Sequence, residues 1–303
     1  MRRIFFVSSL IACVFFTVSC KMTWEEFQNM RQLKKLTEKA ESGDAAAQDE
    51  LGICYLTGKN VERNPFTAGL WFRTAAEQNY PLAQYHLGLL CFHGEGMIVS
   101  YEQAMDCFQS AAKGGVADAM FHLALMYERG LGVAKDAETA KKWYHTAADA
   151  GQIQSMYVYA TILLKDENAE SKQEGMSYLK HAAELGFTEA QYAYAMKCYD
   201  LDGKKELRET KKWLELAAEK NHPEALMSLA MLLLENENRS PEDIDTAMSF
   251  VKKAAEQHLA TAEYFLGMAY QKGQYVTADE KTAKKWFELA AQHGISDAEK
   301  LEK

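Results

Sequence analysis

Seven alanine pairs recur along this chain, at Ala75-Ala76, Ala111-Ala112, Ala147-Ala148, Ala182-Ala183, Ala217-Ala218, Ala254-Ala255 and Ala290-Ala291, spaced 36, 36, 35, 35, 37 and 36 residues apart. A spacing that regular constrains the fold more than any composition does. It predicts stacked units, each burying its apolar face against its neighbours. The unit from Ala117 to Gln152 shows the plan: an apolar helix pattern, a Gly-x-Gly turn, then a second helix pattern ending in Ala-Ala.

Other positions keep the same register. Small residues Ala47, Ala83, Ala119, Ser155, Ala190, Ala225 and Ala262 serve as the origin of each first helix. Four residues on stand Leu51, Leu87, Leu123, Tyr159, Tyr194, Leu229 and Leu266, each followed by Gly or Ala. Eight residues on stand Tyr55, Cys91, Tyr127, Leu163, Cys198, Leu233 and Tyr270. Offsets of zero, four and eight share one helix face, and the small residue at offset five lets the partner helix approach closely. In the second helices Trp71, Trp143, Trp213 and Trp286 share one slot, which Cys107, Tyr178 and Phe250 fill elsewhere.

The pattern A-x-x-x-L-G-x-x-Y, then G-x-G, then K-A-x-x-W-Y-x-x-A-A resembles the Sel-one-like repeat, a relative of the tetratricopeptide repeat, across Asp44 to Ile295. Plain tetratricopeptide repeats fit less well, being shorter and lacking the Gly-x-Gly. The resemblance implies an all-α, right-handed α-solenoid of about seven helix-turn-helix repeats. Gly94-Glu95-Gly96 and Gly130-Leu131-Gly132 keep the turn, whereas Asp166-Glu167-Asn168 and Glu235-Asn236-Glu237 replace it and leave the loop shape open there. The prolines agree with helices: Pro65 and Pro241 follow the cap residues Asn64 and Ser240, and Pro81 and Pro223 sit in first turns, where a missing N–H is harmless.

The expected organisation is a leader over 1–20, a capping helix over 21–43, seven repeats over 44–295 and a C-terminal end over 296–303. Arg2-Arg3, the apolar run Ile4 to Val18 and Thr17-Val18-Ser19-Cys20 are similar to a bacterial lipoprotein leader, with Cys20 as the lipidated residue. Leu10-Ile11-Ala12-Cys13 also fits but leaves too short an apolar run; ordinary cleavage or an uncleaved anchor are the alternatives. Lys21 after the cysteine implies delivery to an outer membrane, facing the periplasm or the surface. The net charge of −9 and the lack of a basic stripe argue against nucleic acid as a partner. A membrane is expected to be met through the N-terminal lipid alone.

No H-E-x-x-H, G-x-S-x-G, Walker loop or C-x-x-C is present, so no catalytic residue, cofactor or metal site is assigned. His86 and His122 share offset three in adjacent repeats, with no acid or thiol converging on them, and are read as exposed. His222, His258 and His293 follow second helices, where a cation suits the helix dipole. Cys54, Cys91, Cys107 and Cys198 read as small buried hydrophobes. Some secreted members of the family staple each repeat with two cysteines; only the second repeat here has two, and a Cys91–Cys107 bridge stays open.

The expected function is an envelope-anchored scaffold that binds a peptide or protein in a concave groove; a hydrolase-like enzyme on the same fold and a purely structural envelope protein are the alternatives. Candidate partner-binding residues lie at offset two of the first helices: Tyr85, Phe121, Tyr157, Tyr192, Met227 and Tyr264. Offset ten gives a charged rim: His93, Arg129, Lys165, Asp200, Glu235 and Lys272. The competing reading packs the rings between repeats.

Overall fold

A computed structural model describes residues 23–202 and 207–295. Cys20, the leader and residues 296–303 lie outside them, as does the side chain of Asp200. Among the described residues all regular structure is helical, in fifteen helices. They are α1 Trp24–Glu41, α2 Ala45–Thr57, α3 Pro65–Ala76, α4 Pro81–His93, α5 Tyr101–Lys113, α6 Ala117–Arg129, α7 Ala137–Asp149, α8 Ile153–Leu164, α9 Ala169–Glu184, α10 Thr188–Asp202, α11 Leu207–Glu219, α12 Pro223–Glu235, α13 Pro241–Glu256, α14 Ala260–Lys272 and α15 Glu280–Gln292. They fall into two compact units divided between Lys135 and Asp136. Within each unit every helix packs on the next in sequence, as a repeat array requires.

The helix ends are specified locally. Asn64 Oδ1 accepts from the Thr67 N–H, and Ser240 closes a capping box with Asp243, which satisfies donors that would otherwise be orphaned. Each second helix ends in the same way. The N–H of Tyr80, Val116, Gln152, Phe187, His222, Leu259 and Ile295 donates to the carbonyl of the first alanine of the preceding pair. The bond requires a left-handed residue just before the donor. Asn79, Gly115, Gly151, Gly186, Asn221, His258 and Gly294 supply it, all with positive φ. The Ala-Ala pair with its follower is therefore a helix stop as well as a packing surface.

The turn inside a repeat has a second requirement. A Cβ on Gly96 would meet the Pro65 backbone at 2.5 Å, and one on Gly132 would meet that of Tyr101 at 2.7 Å. The second glycine thus lets the loop rest on the second helix of the repeat before it. The two substituted loops do differ: α8 ends on an αR residue, Lys165, and α12 on an extended one, Asn236.

The core follows the first-helix register. The origin residues and the first alanine of every pair are buried. The deepest large side chain of each second helix, however, lies one position beyond the tryptophan slot. Phe72, Phe108, Tyr144, Leu179, Leu214, Val251 and Phe287 are each at most 2% exposed, whereas Trp71, Trp143 and Trp286 are half-buried. That row explains the residue at offset five. A Cβ on Gly52, Gly88 or Gly267 would come within 2.5–2.7 Å of the ring of Phe72, Phe108 or Phe287. Where offset five is Ala160, Ala195 or Ala230, the same cores hold Leu179, Leu214 and Val251 instead. Glycine accompanies phenylalanine in three repeats and alanine accompanies a smaller side chain in three others, as packing at crystal density demands; the third repeat, with Ala124 and Tyr144, departs from the pairing.

Candidate partner-binding surface

The six offset-two residues stand on α4, α6, α8, α10, α12 and α14, and all six are half-buried. The inner edges of Tyr85, Tyr157 and Tyr192 pack toward the following repeat. In the C-terminal unit the Tyr157 ring lies 5.4 Å from Phe187, and Tyr192 stacks on His222 at 4.9 Å. Phe187 and His222 occupy the same place, three residues before the next origin. Met227 packs on the core formed by α12, α13 and α14, and Tyr264 lies 5.6 Å from Phe287. In the N-terminal unit Tyr85 contacts Phe108 and His122, and Phe121 contacts His122. Three of the rings therefore pack between repeats, Tyr264 packs on the second helix of its own repeat, and all six residues keep part of their surface in solvent. Burial raises the pKa of Tyr85 to about 12 and pushes that of Tyr157 upward, so both phenols stay neutral donors. The rim residues His93, Arg129, Lys165, Glu235 and Lys272 are exposed.

The histidines depart from expectation. His86 and His122 are half-buried, not exposed. His86 Nδ1 lies 2.7 Å from the Asp49 carboxylate. Asp49 is 4% exposed, and a carboxylate that deep needs a cationic or hydrogen-bonding partner. His122 donates from Nδ1 to the Asp118 carbonyl at 2.8 Å. It is surrounded by Phe92, Phe108, Phe121 and Tyr85, and burial lowers its pKa. His222 caps the start of α12, where Nδ1 accepts from the Ala225 N–H. His258 and His293, instead of facing only helix ends, converge on Glu263.

A family model for the Sel1 repeat matches residues 45–80, 81–116, 117–152, 188–222, 223–259 and 260–295. The chain belongs to the Sel1 repeat family. Residues 153–187, which that model does not match, carry the helix pair α8 and α9 and one of the substituted loops. Solved structures agree. A protective antigen of uropathogenic Escherichia coli with an SLR fold superposes with a TM-score of 0.79 at 28% identity, over 89% of this chain and 58% of that one. A Sel1 repeat protein of Oxalobacter formigenes superposes with a TM-score of 0.68 at 27% identity, over 94% and 82%. An F-box protein of Arabidopsis thaliana is 37% identical over 71 residues, 23% of this chain and 20% of that protein. The chain thus spans little more than half of the E. coli antigen and a fifth of the F-box protein.

Sel1 repeats typically mediate protein–protein interaction, and proteins built from them are generally scaffolds without enzymatic activity. Against that background the thiols of this Sel1 repeat protein are placed as core residues. Cys54, Cys91 and Cys198 are buried and Cys107 is half-buried. The Cys91 thiol lies 3.5 Å from the Met97 sulfur, and its hydrogen-bonding interaction with Cys107 draws the Cys91 pKa down to about 7 and drives that of Cys107 upward. Among the described residues no helix is long and apolar enough to cross a membrane.

Proposed function

We propose that this Sel1 repeat protein is an envelope-anchored scaffold that holds a peptide or protein partner against the first-helix faces of its units. The observation that carries the reading is the recurrence of a large, half-buried side chain at one register of successive first helices. Tyr157, Tyr192, Met227 and Tyr264 form such a row within the C-terminal unit, and Tyr85 and Phe121 hold the same register in the N-terminal unit. Aromatic rings held on rigid helices lose little conformational entropy when a partner covers them, which is the physics of interface hot spots. The exposed charges at offset ten supply a polar border that can fix the register of an extended ligand.

A photoreactive residue placed at Tyr192 is expected to give one discrete cross-linked partner in intact cells, whereas the same residue at the exposed Lys252 of α13 gives none. With that partner in hand, Tyr157→Ala with Tyr192→Ala should weaken binding by about 2–4 kcal/mol while the far-ultraviolet circular dichroism stays native. Equal cross-linking at both positions, or a loss of affinity no larger than the loss of fold, would reject the surface.

The anchor is part of the same proposal. Lipidation of Cys20 would place the repeats on an outer membrane, facing the periplasm or the surface. The E. coli relative's description as a protective antigen is consistent with an envelope location. Cys20→Ala is expected to move the protein from the detergent phase to the aqueous phase or to leave its leader uncleaved, since stable attachment needs more than one acyl chain. Mass spectrometry that found an unmodified N-terminus remote from Cys20 would refute the lipid.

A further inference from the structure

The residue at offset one of each first helix faces the end of the preceding second helix. In three repeats it is glutamine, and its side-chain amide donates to the carbonyl eight residues earlier: Gln48 to Ala40 at 3.0 Å, Gln84 to Ala76 at 3.5 Å and Gln191 to Ala183 at 3.2 Å. Elsewhere the position is Met120, Met156 or Leu226, all buried. In the last repeat it is Glu263, which is 0% exposed. An ionised carboxylate has no proton to give a carbonyl. It also stands beside the negative end of α13, where the helix dipole disfavours an anion. A charge taken wholly out of water requires cationic partners.

Two histidines from different elements answer that requirement. His293, the C-cap of α15, has Nδ1 at 2.8 and 2.9 Å from the two Glu263 oxygens. It repeats, thirty residues on, the placing of Gln78 against Gln48 in the first repeat. His258, in the turn before α14, has Nδ1 at 3.8 Å from the carboxylate, and the two imidazoles stand 4.8 Å apart. His258 is also the one histidine among the left-handed residues that close the second helices; the others are Gly or Asn. Its side chain is 70% exposed, so the cluster opens to solvent on one side and is sealed by Glu263 on the other.

We propose that His258, Glu263 and His293 form a binding site for a divalent cation of the zinc class. Two imidazole nitrogens and one carboxylate oxygen are a donor set that zinc accepts, with water or a partner's side chain in the fourth place. The donor atoms lie within 4.8 Å of one another, against a separation of about 3.3–3.6 Å expected for tetrahedral bonds of about 2.0–2.2 Å. A rotation of the exposed His258 brings it in. The proton that His293 Nδ1 now directs at the carboxylate passes to solvent as the cation takes its place, and the cation neutralises Glu263 more completely than hydrogen bonds do. It would tie the α13–α14 turn, the first turn of α14 and the end of α15 to one point, closing the last helix pair of the C-terminal unit. The site is independent of the partner-binding reading, because none of its residues belongs to the offset-two row.

The test is titration of Zn2+ into the full chain, prepared without a polyhistidine tag and stripped with chelator, followed by calorimetry and thermal unfolding. One saturating equivalent and a rise in melting temperature are expected. Glu263→Gln recreates the arrangement of Gln48, Gln84 and Gln191, so it should fold; it should weaken zinc binding by about a hundredfold or more, since losing a ligand costs at least what losing a ligand's support does, and abolish the thermal shift. His293→Ala is the second variant and should do the same, which also separates this site from zinc held by the Cys91 and Cys107 thiols. Absence of saturable binding in the unmodified chain, or binding unchanged in both variants, overturns the site.

Discussion

Deleting residues 81–116, the helix pair α4 and α5 with their turns, is expected to yield a shorter protein that still folds and melts cooperatively, with the helical ellipticity per residue of the parent. The segment is 36 residues long, one full period. Its removal joins Tyr80 to Ala117, and Tyr80 and Val116 are equivalent positions, each donating its N–H to the first alanine of the preceding pair. The new neighbour of α3 is then α6, which presents Ala119, Leu123 and Ala124 where α4 presented Ala83, Leu87 and Gly88. His122 arrives at the place of His86 and can take over the buried Asp49 carboxylate. In a quasi-one-dimensional array, stability is a sum of repeat and neighbour-interface terms, so one unit fewer lowers the melting temperature without dissolving the fold. Deleting residues 81–100 alone, which removes α4 and its turn, should behave differently. It sets two second helices side by side and withdraws Leu87, Leu90 and the Gly88 surface on which Phe108 rests. Each buried leucine lost contributes about 2–5 kcal/mol, so the sum approaches the whole stability of an ordinary domain, about 5–15 kcal/mol. A broad, non-cooperative melt is expected. If the two deletions melted alike, the repeat boundaries at Tyr80 and Val116 would be wrong.

The outline of this result is visible in the residues alone, because a period carries both the helix pairing and the position of each stop. Pro65 and Pro241 behind Asn64 and Ser240, and Gly151 and Gly186 after Ala-Ala, act within a few residues of themselves, so their effects could be read directly. What could not be read is anything that depends on two helices meeting. The tryptophans marked the second-helix register by their bulk, yet the most deeply buried row is the next residue along, Phe72 to Phe287, since at Trp71, Trp143 and Trp286 the indole ring spans core and surface, and only Trp213 is itself buried. The correlation of Gly52, Gly88 and Gly267 with phenylalanine was present in the sequence and becomes meaningful only once those helices face each other. Glu263 is the same kind of case. An acid among Gln, Met and Leu at offset one is visible, but the positions of His258 and His293 after second helices point only to helix dipoles, and only the packing of three elements brings them to one carboxylate. The offset-two rings were legible as a series. Their half-buried state was not, because it is set by residues such as Phe187 and His222, thirty positions downstream.

The pairing of glycine with phenylalanine should show itself as a coupling energy. Gly52→Ala is favourable by the backbone alone, since alanine is better than glycine inside a helix by about 1 kcal/mol. The Cβ, however, would stand 2.5 and 2.7 Å from two ring carbons of Phe72 and 3.1 Å from a third. Phe72 is 0% exposed, so the ring cannot retreat without moving α3. Overpacking of this kind costs about 1–3 kcal/mol and outweighs the helix term, and the net effect should be destabilising. Phe72→Leu alone should also destabilise, because it leaves a void above a glycine that has no side chain to fill it. Combined, the two substitutions recreate the Ala160 and Leu179 core of α8 and α9. The double variant should therefore be more stable than the sum of the single effects predicts, with a coupling of about 1–3 kcal/mol, read from denaturant unfolding of all four proteins. Additivity within a few tenths of a kcal/mol would mean that helix approach in the first repeat is not governed by this contact. The reciprocal experiment in the fourth repeat sharpens the point: Leu179→Phe should be poorly tolerated beside Ala160 and rescued by Ala160→Gly, since the pair then becomes the one that the first, second and seventh repeats already use.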